Sequence, residues 1–287
     1  MNYIDKLKIK DGLGQRVSYS SLSKFAKSPI DYLRYVNKDY ETTEAMIIGS
    51  ATDCLLLEPE EFDNRFMVIE NVKRNTKVGK EKYAEYCELA KKKELELIKE
   101  QDFERISMMV NSVKSNPNAK WLLENTTSIQ HRIKFEYENP ETEYNHKFTI
   151  NGITDGIGEN PITKTPFIFD LKTTNDCNKN IWSTTVIKWY YHLQAYIYYK
   201  GIQIDEFRRR SKLMKPEFYH IVVENKEPFK VYVFKFDENF IAEGKRLFEQ
   251  IMVEFEYCKE HNLWTQGTEF HEPEMVSLEL PNWYKNK

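Results

Sequence analysis

The sequence lacks several things that would have decided its class at once. No apolar run approaches the roughly 20 residues needed to span a bilayer, and a mean hydropathy of −0.67 with 30% charged residues argues against an integral membrane protein. Residues 1–15 are polar and carry no apolar core of a secretory leader, so a cytoplasmic protein is expected. There is no surplus of positive charge: 42 Lys and Arg against 45 Asp and Glu leave a net charge of −3. Any grip on nucleic acid must therefore come from local patches rather than from the molecule as a whole. Cysteines are few and scattered, at Cys54, Cys87, Cys177 and Cys258, with no C-x-x-C pair, which points to reduced thiols. No internal repeat, low-complexity tract or linker divides the chain, so one domain over 1–287 is expected, with a mainly helical part at 1–125 and a sheet-containing core at 126–287.

What is present is ample core material, 40% hydrophobic and 14% aromatic residues. Ser18 and Ser28 precede two short helical patterns, through Phe25 and from Ile30 to Val36. The block AMIIGSATDCLLLEPEEF, residues 45–62, combines small residues at Gly49 to Ala51, read as a helix start, with a leucine run. Residues 73–100 read as a solvated, charge-rich helix, and residues 102–113 as an amphipathic one. Strands are expected over 128–137 and 144–150, then over 218–223 and 229–236, followed by a long helix over 238–258.

The chemistry concentrates between Ile150 and Tyr198. In Phe167-Ile168-Phe169-Asp170-Leu171-Lys172, a β-forming run ends in an acid, an apolar residue and a lysine. Period-2 alternation places Asp170 and Lys172 on one face and Leu171 in the core. Asp155 lies on the preceding candidate strand, and the turn-forming residues 160–166 between the two predict a hairpin that brings both carboxylates together. Two carboxylates and a backbone carbonyl suit Mg²⁺ or Mn²⁺, and a neighbouring lysine can orient water and offset transition-state charge. Downstream, Gln194 and Tyr198 are four apart and share a helical face.

An Asp, fourteen intervening residues, then Asp-x-Lys at a strand end resembles the PD-(D/E)XK nuclease superfamily. The Gln-x-x-x-Tyr helix is similar to that of its RecE, lambda-exonuclease and AddB-like branch. The phrase YSSLSKFAKSPIDYLRY, residues 19–35, resembles the opening of RecE-like nucleases. These motifs keep the family's order from about Ser18 to Trp283. The resemblance implies an α/β, restriction-endonuclease-like core, a central mixed sheet flanked by helices with an N-terminal helical addition. It implies a divalent-metal-dependent exonuclease acting on double-stranded DNA ends, digesting 5′ to 3′ in phage-type recombination. It also implies a single-strand annealing protein as partner and assembly into homo-oligomers.

Carried onto this sequence, Asp155, Asp170 and the Leu171 carbonyl would hold the metal, and Lys172 would position the attacking water. Gln194 and Tyr198 would orient DNA or brace the metal site. Two positions depart from the family pattern. Asp53 stands where a histidine is usual, and either joins the metal site or serves as a helix N-terminal carboxylate. Gln130 stands about where a glutamate usually helps to bind metal. Arg74, Lys77 and Lys80 match a basic phrase that could hold phosphates, and Arg208, Arg209 and Arg210 form either a DNA contact or an exposed loop. The closely spaced cysteines that carry an iron–sulfur cluster in some relatives are absent, so no cluster is expected. A catalytically impaired binding protein and a structure-selective endonuclease are the alternatives.

Overall fold

A computed structural model describes residues 13–39, 42–73 and 75–264. The chain forms two compact units: Met1–Tyr40, Glu136–Ile150 and Arg246–Lys287 make the first, Glu41–Phe135 and Asn151–Lys245 the second.

In the first unit a short strand β1 (Arg16–Ser18) leads into α1 (Tyr19–Phe25) and α2 (Pro29–Val36). Ser18 and Ser21 form a reciprocal capping box, each hydroxyl accepting the other's backbone N–H at 3.3 and 2.9 Å. Ser28 caps α2 with Pro29 in its first turn, where a missing N–H costs nothing. The core of this unit is aromatic. Phe255 meets Phe25 and Tyr32 edge to face at centroid distances of 4.9 and 5.0 Å. Glu256 is fully enclosed there, yet its carboxylate accepts the Thr142 hydroxyl and the His146 N–H, the latter at 3.1 Å.

The second unit opens with α3 (Glu44–Leu57), a 3-10 turn (Pro59–Glu61), α4 (Phe62–Arg65) and β2 (Phe66–Ile69). It continues with α5 (Lys77–Lys93), β3 (Glu96–Lys99), α6 (Glu100–Ser115) and α7 (Pro117–Glu124). Then come β4 (Thr126–Glu138), β5 (Lys147–Glu159) and β6 (Pro166–Thr174), of which β4 and β5 each contribute residues to both units. The helices α8 (Lys179–Lys188) and α9 (Tyr191–Arg210) precede β7 (Glu217–Glu224), β8 (Val231–Lys235) and the start of α10 (Glu238–His261).

The strand order within this unit is β5-β6-β7-β8, with β4 also on β5. The β5–β6 and β7–β8 pairs are antiparallel and β6–β7 is parallel, so the sheet is mixed. A parallel pair needs a long crossover, and α8 and α9 supply it. One face packs Phe167, Phe169, Leu171, Ile221 and Val223 against apolar residues of α3, α6 and α7. The expected α/β architecture, a mixed sheet flanked by helices, is what the structure displays.

Several local expectations change. The charged helix stops at Lys93, where Glu94 turns left-handed at φ 57. The alternating residues that follow form β3, which pairs in parallel with β2. Helix α3 begins at Glu44 under a Thr43 cap, so Gly49 lies inside it rather than at its start. Residues 144–150 and the strand bearing Asp155 merge into the single β5. Arg208 to Arg210 form the last turn of α9, not a loop after Gly201. Gly201 lies inside that helix, where a Cβ would strike the Ile133 side chain at 2.8 Å. Helix α8, rich in β-branched residues, carries no strong helical pattern in the sequence.

Candidate active site

The strand β6 is buried through Leu171, as expected of a strand covered on both faces. Because Phe169 and Leu171 enter the core beneath α3, α6 and α7, alternation turns Asp170 and Lys172 to the opposite face. The β5–β6 ladder runs from Glu159↔Pro166 to Gly156↔Phe169. One step further on each strand lie Asp155 and Asp170. A glycine is required at 156, since a Cβ would fall 2.2 Å from the Phe169 ring that lies across it. The predicted hairpin therefore places the two acids together.

Asp155 Oδ2 accepts the Leu171 N–H at 2.6 Å. Asp170, only 3% exposed, accepts the Gln194 amide at Oδ1 (2.8 Å) and pairs with the Lys172 ammonium at Oδ2. The same Gln194 nitrogen reaches the Tyr198 hydroxyl at 3.2 Å. Lys172 Nζ lies 4.9 Å from the centre of the Tyr191 ring. Asp53 sits mid-helix in α3, so its reading as a helix N-terminal carboxylate does not hold. The α3 face that carries it approaches the end of β6: a Cβ at Gly49 would lie 3.6 Å from Thr173 Oγ1.

These acids oppose one another's charge. Burial, then Asp170 and Asp53, hold the Asp155 carboxyl well above the ordinary carboxylate range, only partly offset by Lys172 and the Leu171 N–H. Burial also raises Asp53, with Lys172 and Arg65 pulling it down and Asp170 pushing it up. Burial works to lower the Lys172 ammonium, but Asp170, Tyr191 and Asp155 outweigh it and the group stays cationic. His220, next to Asp170 across the parallel strand pair, is held well below the ordinary imidazole range by burial and then by the Lys172 charge.

The divalent cation that the resemblance implies can be tested against these residues. Among those described, no three His, Cys, Asp or Glu side chains come together as a cation cage. Mg²⁺, however, keeps several waters and is commonly held by one or two carboxylates. Asp155 and Asp170 supply two hard-oxygen ligands in a site short of positive charge, and Gln194 Oε1 is a buried acceptor with no hydrogen bond. The donor set fits such an ion.

The expected nucleic-acid contacts fare differently. Lys77 and Lys80 are exposed in the first turn of α5 and form no ion pair among the described residues; Arg74 lies outside the described residues. Arg208 pairs with Asp205 at 3.4 Å, Arg209 with Glu206 at 2.7 Å, and Arg210 with Glu159 and Glu206. Gln130 adopts φ 45 inside β4 and shifts the strand's alternation there, so that Ile133 and Phe135 rather than their even-numbered neighbours are buried. Three neighbours of the site escape sequence reading: Tyr191, His220 and Arg65. Arg65 donates to Ser50 Oγ at 3.0 Å, one helical turn from Asp53, with no acid on it among the described residues. Nothing in an isolated arginine after an acidic turn signals that placement.

A mixed sheet that presents Asp and Asp-x-Lys at the end of a hairpin, backed by a Gln-x-x-x-Tyr helix, defines the PD-(D/E)XK class. The family model described as "PDDEXK-like domain of unknown function (DUF3799)" matches residues 18–272, and the chain belongs to that family. A crystal structure of a protein from Eubacterium rectale described as a "Putative exonuclease" is similar over 97% of this chain and 98% of that one, with a TM-score of 0.57 and 13% identity. The structure of SSO0001 aligns over 86% of this chain and 79% of its own, with a TM-score of 0.35 and 13% identity. No curated protein matches the sequence. Among the described residues, no helix is long and apolar enough to cross a membrane.

Proposed function

We propose that this protein is a divalent-metal-dependent deoxyribonuclease, an exonuclease of the RecE-like type that digests linear double-stranded DNA from 5′ to 3′ in phage-type recombination. The observation that carries the reading is the convergence of Asp155, Asp170 and Lys172 at one strand end, with Gln194 hydrogen-bonded to Asp170. Asp155 and Asp170, with the Leu171 carbonyl, would hold Mg²⁺ or Mn²⁺. When bound, the ion would polarise the scissile phosphate and lower the pKa of attacking water. Lys172 donates towards that water and the developing negative charge. Gln194 fixes the carboxylate plane of Asp170, and Tyr198 fixes Gln194. In this reading double-stranded DNA ends are the substrate, and an annealing protein and further copies of the chain are the partners. The "Putative exonuclease" description of the structural neighbour agrees with it.

A second reading, a binding protein without cleavage, is supported by two departures from the pattern of the resembled nucleases: Asp53 stands where a histidine is usual and Gln130 about where a glutamate is. Digestion of linear against covalently closed double-stranded DNA with Mg²⁺ or Mn²⁺ separates the possibilities. Loss of linear DNA alone, abolished by Asp170→Ala and by Lys172→Ala, is the expected result. Cutting of the closed circle would make the protein an endonuclease. Binding of DNA with neither substrate cut would leave the second reading standing.

A further inference from the structure

Helix α9 backs the Asp-x-Lys strand with one stripe of side chains. Tyr191, Gln194 and Tyr198 are spaced by three and four residues, so they share a helical face. Gln194 and Tyr198 serve Asp170. Tyr191 is aimed at the other member of the motif.

The Lys172 ammonium lies 4.9 Å from the Tyr191 ring centre, inside the ~6 Å at which a cation is attracted to an aromatic face. The ring is itself held from two sides. His220 meets it edge to face at 5.4 Å and 88°, and Trp182 lies against it at 5.9 Å and 33°. Both neighbours are buried, and neither ring nitrogen of His220 is hydrogen-bonded, so His220 acts here as an aromatic wall. The backbone fixes the ring's origin as well: Tyr190 turns left-handed at φ 59 between α8 and α9, making Tyr191 the first residue of α9.

A lysine is a point charge on a flexible four-carbon stem. Its side chain is still 18% exposed, so solvent competes with the site for its ammonium. We propose that Tyr191 is a positioning residue for Lys172: the face of its ring keeps the ammonium beside Asp170 and out of bulk water, where it can orient the attacking water. The inference rests on the nuclease reading of Lys172. It assigns the work to the ring face and not to the hydroxyl, so phenylalanine should replace tyrosine and an aliphatic residue should not.

The test compares Tyr191→Phe, Tyr191→Leu and Tyr191→Met in the full chain with Mg²⁺ on linear double-stranded DNA, with a thermal melt of each. Two aliphatic variants are included so that one that misfolds does not end the test. Tyr191→Phe should keep kcat within about twofold. The folded aliphatic variants should lose about tenfold to thirtyfold in kcat, the size of a desolvated cation–π contact, with KM for DNA unchanged. In parallel, the Lys172 side-chain NMR signals should carry an upfield ring-current shift in the wild type and in Tyr191→Phe that the aliphatic variants lose. Equal loss in Tyr191→Phe and the aliphatic variants, an undiminished kcat in a folded aliphatic variant, or no ring-current shift would each overturn the proposal. If the wild type cuts no DNA, the nuclease reading fails by itself, while the ring-current measurement still decides whether Tyr191 holds Lys172.

Discussion

Two buried acids, one in each unit, are held in opposite ways. Glu256 in the first unit is enclosed, but a hydroxyl and a backbone N–H come to meet it and tie the β4–β5 connection to α10. Asp155 in the second unit receives one backbone N–H and faces Asp170 and Asp53 with Lys172 as the main compensating charge. An acid that holds a fold together is surrounded by donors, whereas the candidate site keeps its acids crowded. Such crowding opposes the charged form in the free protein and is what a cation relieves.

This contrast can be tested from its strongest consequence downward. Asp170→Ala and Lys172→Ala should each lower the rate of linear-DNA digestion by about 10³-fold or more, while Glu256→Gln, assayed where it is folded, should leave the rate near wild type. Next, stability should move in opposite directions at these two acids. Glu256→Gln leaves one acceptor oxygen for two donors, so either the His146 N–H loses its partner or the Thr142 hydroxyl must turn round to accept, and should cost about 1–3 kcal/mol in urea unfolding. Asp155→Asn removes a crowded charge yet keeps an acceptor for the Leu171 N–H, so the metal-free protein should be as stable as wild type or more so. A destabilised Asp155→Asn would break the comparison.

Metal sharpens it further. Mg²⁺ at ten times its Kd should stabilise the wild type by about 1.4 kcal/mol and leave Asp155→Asn almost unmoved, as read by thermal melts. The smallest effect concerns the arginines. Arg65 has no acid partner among the described residues, whereas Arg209 is already paired with Glu206. In DNA-binding titrations, Arg65→Ala should reduce the slope of log affinity against log salt by about 1; Arg209→Ala should change it less.

Much of the site was legible because its signals are local. The run Phe167 to Lys172 states its own alternation, the turn residues 160–166 set the hairpin, and Gln194 and Tyr198 fall on one helical face whatever the rest of the chain does. What stayed hidden depends on distance in the sequence. The parallel pairing of β2 with β3 joins segments about 30 residues apart, and residues 95–99 look like the end of a charged helix until β2 lies beside them. His220 is one polar letter within the apolar stretch Phe218 to Val223, and only the packing of Trp182 and Tyr191 gives it a role. Of the acids that pair with the α9 arginines, Asp205 and Glu206 lie within four residues in the same helix, whereas Glu159, on β5, is 51 residues away from Arg210 and is hidden from the sequence.

The way the β5–β6 ladder ends also bears on how the chain breathes. Past Gly156↔Phe169 the Leu171 amide finds its acceptor in a side chain of β5, Asp155, instead of in a backbone carbonyl of that strand. One carboxylate thus stands in for a rung of the sheet. Leu171 should then be an amide whose exchange with deuterated water answers to Asp155 alone: slow in the wild type and in Asp155→Asn, fast in Asp155→Ala, with the amides of the remaining ladder unchanged. A variant made to silence chemistry by truncating Asp155 to alanine would at the same time unfasten the end of the hairpin, and its lost activity could not be assigned to the missing charge.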